Sequence, residues 1–335
     1  MLFWYQKQEH QTGPYLFSII QRKIINIDTI MICPYCGQEH PDTFKFCPNT
    51  GQRIVPQFKA CINKQCPDYG RYILPLDGRF CPSCGKLLDG LVIETDSVND
   101  ILQFVVDGVS FNMILVEHGS FMMGATVEQE NPDDVEMPVH QVKITRDYYL
   151  GDTQVTQGLW KIIMGNNPSY FKDNDRPVES VSWNDCQKFL RELNHKFQAT
   201  LAGKKFRLPT EAEWEFAARG GNKSNFFQYA GSNTLSDVAW YDSNSDDKTH
   251  IVAQLKPNEL GIYDMSGNVF EFCQDVFGCY SINTQINPIR LGVGRKHIIR
   301  GGCWSNVARN CRLSARWLLE PDYCNSLFGF RIVLS

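Results

Sequence analysis

The chain has 335 residues, 43% of them hydrophobic and 21% charged, and 33 Lys/Arg against 37 Asp/Glu leave a net charge of −4. These values are ordinary for a globular protein of one large domain and a smaller appendage, and they exclude polyanion binding as the main purpose. The thirteen cysteines are unevenly spread, seven between Cys33 and Cys84 in short paired spacings and six scattered from Cys186 to Cys324; Cys-x-x-Cys pairs without a secretion signal read as metal sites rather than disulfides.

Residues 1–30 contain no apolar run long enough for a signal peptide or a membrane span. They read as an extension without functional content, and the expected setting is cytoplasmic with no membrane partner. Two cysteine-rich copies follow. Residues 31–56 hold Cys33, Cys36 and Cys47, with Thr50 at the fourth position, whereas residues 57–92 hold Cys61, Cys66, Cys81 and Cys84. Four thiolates suit tetrahedral zinc in a closed structural site, so 57–92 is expected to be a zinc ribbon. A hydroxyl is a poor zinc ligand, so 31–56 is a degenerate ribbon that needs His40 or another donor, or stands without metal. Between Cys33 and Val92 seven Lys/Arg oppose five Asp/Glu without a basic cluster. That balance points away from nucleic acid and toward a protein partner for the ribbons.

Residues 93–102 read as a linker into a main domain over 103–335. The domain opens on FVVDGVSFNMILV, two short strands turning at Asp107-Gly108. Helical signals come next: Thr156 starts a helix that ends at Gly165, and Ser182 with Asp185 caps a second one carrying Cys186, Phe189, Leu190, Leu193 and Phe197 at helical spacing. Thr210 with Glu213 caps a third, carrying Trp214, Ala217 and Ala218. Beyond Gly220 short runs rich in Gly, Asn, Asp and aromatics predict almost no helix.

The landmarks VSFNMILVEHGSFMMG, VTQGLWKIIMGNNPSYF, PVESVSWNDC, FRLPTEAEWEFAARGG and GNVFEF, closing on RGGCWSNVARNCRLSARWLLEPDYCNSLFGFR, resemble in their order the formylglycine-generating enzymes, or sulfatase-modifying factors. The resemblance runs from near Phe104 to the last residue. It implies an α+β class with a modified C-type-lectin-like fold, much irregular loop and little regular structure. It also implies a calcium site from Asn268 and Glu271 with the carbonyls of Gly267 and Val269, and a second site drawing on Asn244 and Asp264. From the residues alone, Glu271 lies on one face of a strand with Val269 and Cys273 and needs a cation there, either calcium or an arginine such as Arg300.

Catalytic members of the family carry two cysteines, at the fourth and ninth positions after the Arg-Gly-Gly, that together hold copper and convert a substrate cysteine to formylglycine. In this chain those positions are Asn306 and Cys311. One thiolate and an amide do not make a soft two-sulfur site, so copper is not expected and Cys311, the one candidate for redox chemistry, reads as a small buried apolar side chain. Cys303 stands where the family usually has serine. From Trp317 to Phe328, where the family is usually polar, this chain has Trp317, Leu318, Leu319, Tyr323, Leu327 and Phe328, and Trp304 and Asn306 are grouped with them. They form either an exposed ligand-binding face or part of the core. Related proteins with this fold have C-terminal loops diversified by retroelements, and such a displayed surface matches these replacements. Arg207, Arg219, Arg300, Arg312, Arg316 and Arg331 are expected to tie loops to carboxylates and carbonyls.

These readings predict a non-catalytic binder of a protein or other ligand at its C-terminal face, docked through its ribbons. The alternative is a copper-dependent oxidase acting on a sulfatase cysteine.

Overall fold

The computed structural model describes residues 101–201, 203–292 and 296–335, together with the backbone of five short strands before them. The chain divides into two compact units, 1–56 and 57–335. In the first, β1 (Ile30–Ile32) pairs antiparallel with β2 (Glu39–Pro41). The cysteines expected to hold zinc, Cys33, Cys36, Cys47, Cys61, Cys66, Cys81 and Cys84, lie outside the described residues.

In the second unit β3 (Lys59–Ala60) pairs with β4 (Tyr72–Ile73), and β5 (Gly90–Val92) pairs antiparallel with β6 (Ile101–Val106). The sheet of the main domain therefore reaches back past residue 103. Residues 90–92, assigned to the ribbon, and Ile101 and Leu102, assigned to a linker, are strand, since the backbone of 90–92 pairs with that of 103–105 and β6 with β7.

β6 turns into β7 (Val109–Val116) at Asp107 and Gly108, both at positive φ, the two-residue turn whose twist matches the flanking strands. After β8 (Gly119–Met123), β9 (His140–Ile144) and β10 (Tyr148–Gly151) come three helices with the expected caps. Helix α1 (Gln157–Met164) is capped by Thr156 and stops at Gly165, which is left-handed at φ 77°. Helix α2 (Trp183–Phe197) begins with a Ser182–Asp185 capping box and buries Cys186, Phe189, Leu190, Leu193 and Phe197 on one face. Helix α3 (Glu211–Ala218) is boxed by Thr210 and Glu213 and buried on nearly all sides.

Past α3 the described chain contains only short 3₁₀ turns and strands: β11 (Phe206–Arg207) precedes α3, and β12 (Phe270–Val276), β13 (Gln285–Ile286), β14 (His297–Arg300), β15 (Arg316–Leu319), β16 (Phe328–Gly329) and β17 (Val333–Leu334) follow it. A six-stranded sheet runs in the order β11-β17-β10-β7-β6-β5, a four-stranded sheet β15-β14-β12-β16, and a three-stranded sheet β13-β9-β8. This is a mixed α+β fold.

One apolar core packs α1 and α2 against β6 and β7 and takes in Phe270, Phe272, Phe328 and Phe330; a second surrounds α3 and includes Cys273 and Ile298. β12 runs between the two, and strand alternation sends Phe270 and Phe272 to the first. Glu271, on the opposite face, is fully buried.

Candidate functional site

All six singled-out arginines clamp carboxylates. Arg331 grips Glu271 at 2.7 and 2.8 Å, Arg312 grips Glu136 at 2.7 Å twice, and Arg316 grips Glu211 at 2.7 and 2.6 Å. Arg300 reaches Glu215, Arg219 reaches Glu215 and Glu128, and Arg207 reaches Glu213. The cationic partner of Glu271 is thus Arg331, 60 residues on, rather than Arg300, which spends itself on Glu215 and the carbonyls of Leu313 and Ser314. Fork geometry holds each pair with two hydrogen bonds or a bond plus a carbonyl, which satisfies the charge where burial is nearly complete.

Glu271 accepts two further bonds, from Trp214 Nε1 at 2.7 Å and Gln154 Nε2 at 3.0 Å. The carbonyls of Asp264, Gly267 and Val269 converge on the same Gln154 nitrogen at 3.1, 3.3 and 3.0 Å. Oε1 of Gln154 is buried without a partner. This gathering of oxygens, with more acceptors than one amide can supply donors for, fits a hard cation such as calcium. Asn268 does not join it: its Oδ1 accepts from the His250 N–H and its Nδ2 donates to the His250 carbonyl. Asn244 also binds only its own turn, through Tyr241 N and Ala239 O. Burial pushes the Asp264 carboxyl up to about 6, with Glu271 and Asp152 adding to the shift and the Ala253 N–H and Arg331 opposing it. Among the described residues no three or more His, Cys, Asp or Glu side chains group to hold a metal ion, so any cation here relies on carbonyls.

Gly301 and Gly302 are left-handed, and a Cβ on Gly302 would lie 2.7 Å from the Cys311 sulfur and 2.9 Å from the Asn310 carbonyl, so glycine lets Cys311 approach the turn. Cys311 is fully buried beside Tyr229, Leu235, Val238 and Ala239. Burial, with Cys303 nearby, pushes its thiol far above the ordinary thiol range and keeps the proton on sulfur. Asn306 closes the adjacent turn. Its Oδ1 accepts from the Cys303 N–H at 3.1 Å and the Cys303 thiol at 3.4 Å, and its carbonyl accepts from Asp242 N. The donors at 306 and 311 therefore do not fit a two-thiolate copper centre.

The proposed face is only partly exposed. Trp317, Leu318 and Tyr323 stand 39%, 38% and 50% exposed, while Trp304 is half-buried with Nε1 donating to Ser326 O. Phe328 is core: the parallel pairing of Phe328 with Phe270 turns its ring onto Phe270 and Phe272. Leu319 and Leu327 also pack against the core. Trp317 and Leu318 lie on β15, an edge strand of its sheet. Sequence reasoning missed Tyr170 and Phe171, which extend Trp304 into a row of rings with centroids 4.9 and 5.5 Å apart, Tyr170 being 74% exposed. Their aromatic pair in NNPSYF was the available signal.

A second region of buried charge borders a cavity of roughly 350 Å³ lined by His140, Glu211, Asp275, Cys279, Tyr280 and Arg316. There burial, reinforced by Glu211, pushes the Asp275 carboxyl up to about 7, against hydrogen bonds from the Glu211 and Arg290 N–H groups.

The fold, the buried arginine–carboxylate frame and the Arg-Gly-Gly closing segment define a class, and the Sulfatase-modifying factor enzyme 1-like domain matches residues 108–335. The chain belongs to that family. Among similar proteins are "Chaperone protein LppX" of Paenibacillus barcinonensis, 36% identical over 68% of this chain and 90% of that protein, and "Formylglycine-generating enzyme" of Streptomyces coelicolor, 26% identical over 64% of this chain and 86% of that protein. Among solved structures, "Treponema denticola variable protein 1" superimposes with a TM-score of 0.62 at 30% identity, covering 70% of this chain and 98% of that one. No helix among the described residues is long and apolar enough to cross a membrane.

Proposed function

We propose that this chain is a non-catalytic member of its family that binds a protein or other ligand at the face formed by Trp304, Asn306, Trp317, Leu318 and Tyr323, extended by Tyr170. The observation that carries this reading is the state of positions 306 and 311. An amide tied to Cys303 takes the place of one copper ligand, and the remaining thiol is buried and protonated. Half-exposed aromatic and apolar side chains of the closing segment supply anchor area for a partner.

Two similarities support binding over oxidation, the relative whose name is that of a chaperone and the structural neighbour whose name is that of a variable protein. The zinc ribbons of 31–56 and 57–92 serve as a docking module, with Cys61, Cys66, Cys81 and Cys84 holding zinc. Calcium is held at the carbonyls of Asp264, Gly267 and Val269 and by Glu271, and fixes the turn before β12. Diversification of the C-terminal segment predicts a near-copy of the gene's 3′ end, differing mainly at adenines, beside a reverse transcriptase.

The decisive test is mass spectrometry of a Cys-x-Pro-x-Arg peptide incubated with the full chain, with and without added copper. No aldehyde is expected, and copper(I) titration is expected to show no tight site. Copper-dependent formylglycine formation would overturn the reading in favour of the oxidase.

A further inference from the structure

Gln154 sits between β10 and α1 and is 1% exposed. A primary amide carries two protons, so its Nε2 cannot donate to all four oxygens that face it at 3.0 to 3.3 Å; Glu271 Oε1 also accepts from Arg331, and at least one of the three carbonyls receives no proton from this amide. The other end of the same amide, Oε1, has no partner. One side chain is thus over-subscribed at its nitrogen and without a partner at its buried oxygen, which native interiors rarely tolerate.

Turning the amide half a revolution about its last bond exchanges its two ends. Oε1 then faces the carbonyls of Asp264, Gly267 and Val269 and the Glu271 carboxylate across those same separations. Five oxygens so close repel one another unless a cation lies among them. Oxygens about 2.3–2.6 Å from a calcium ion in a shell of six to eight stand roughly 3 Å apart, the spacing found here. The charge balance agrees, since Glu271, Asp264 and Asp152 share this interior with the one guanidinium of Arg331. A divalent ion cancels that excess. Gln154 also lines a cavity of roughly 500 Å³ with Asp152, Asn174 and Asp175.

We infer that Gln154 is itself a ligand of the cation, binding through Oε1, and that its amide turns over between the ion-free and ion-bound states. This rests on the calcium reading above and adds to it a residue outside the turn, so that the ion ties the segment before α1 to the segment before β12.

The test is calorimetric titration of calcium chloride into the metal-free full chain and its Gln154→Leu and Gln154→Glu variants, with the melting temperature of each read in calcium and in chelator. Gln154→Leu is expected to weaken calcium at least tenfold and to abolish the chelator-induced drop in melting temperature. Gln154→Glu, isosteric and adding a negative charge to the shell, is expected to bind at least tenfold tighter and to melt lower than the unaltered chain in chelator, where its carboxylate faces carbonyls. Unchanged affinity in both variants would overturn Gln154 as a ligand while leaving the calcium site standing. No calcium binding by the unaltered chain would overturn the calcium reading and this inference with it. Gln154→Glu alone decides the matter if the leucine variant does not fold.

Discussion

Arg331→Met removes the cation from a carboxylate that has no access to solvent. Arg331 and Glu271 are both fully buried, and the substitution strips two bonds from Glu271 and one each from the carbonyls of Gly151 and Tyr263. Leaving one member of a buried pair uncompensated costs about 3–5 kcal/mol, and each stranded carbonyl adds about 1 kcal/mol or more. Against a total stability of about 5–15 kcal/mol the variant should sit near the edge of folding. Urea unfolding followed by tryptophan fluorescence in the presence of chelator reads the loss directly, as a shift in midpoint at constant slope. Adding Glu271→Gln to that variant should recover part of it, because the neutral amide keeps its oxygen for Trp214 Nε1 and no longer buries an unpaired charge. A loss under about 1 kcal/mol, or a double variant no more stable than Arg331→Met alone, would refute the reasoning, since the pair would then contribute as little as one on the surface.

Two further outcomes are expected. Asp275 has a folded-state value of about 7, above the ordinary carboxylate range, so the folded chain holds this proton more tightly than the unfolded one and the contribution is stabilising at low pH and lost as pH rises from about 4 to about 7. The melting temperature of the unaltered chain minus that of Asp275→Asn should therefore fall across that window, and a flat difference would show that Asp275 is ionised throughout. Metal analysis of the full chain should find one firmly held zinc ion that is lost in Cys81→Ser; two zinc ions would show that another donor completes the site of Cys33, Cys36 and Cys47.

What was legible in the sequence was local. Ser182 with Asp185, and Thr210 with Glu213, mark helix starts because the capping bonds span three residues, and the buried face of α2 follows from its own spacing. That the arginines would clamp carboxylates followed from their chemistry. Which carboxylate each would take did not: β14 sets Arg300 directly opposite Glu271, yet Arg300 bonds Glu215, and Glu271 takes Arg331, two residues past its β16 partner Gly329. The same long-range pairing hides Phe328, which its flanking sequence presents as equivalent to the exposed Tyr323. Strand β5 was equally invisible, since nothing within GLV says that β6 waits eleven residues later to receive it. At the candidate site, the turn of Gly267 and the burial of Glu271 could be read, whereas Gln154 lies 117 residues from Glu271 and Tyr170 lies far from Trp304 in sequence.

The arginine clamps also bear on how this surface can change over generations. Arg300, Arg312, Arg316 and Arg331 anchor the closing segment at four buried points, and between them Ser305, Val307, Trp317, Leu318, Glu320, Asp322, Tyr323 and Cys324 are exposed and make none of those anchoring bonds. Exchange of those exposed side chains leaves the four arginine anchors in place. Under the proposed binding role, recognition would change by substitution at these exposed positions while the buried arginine–carboxylate frame stays in place.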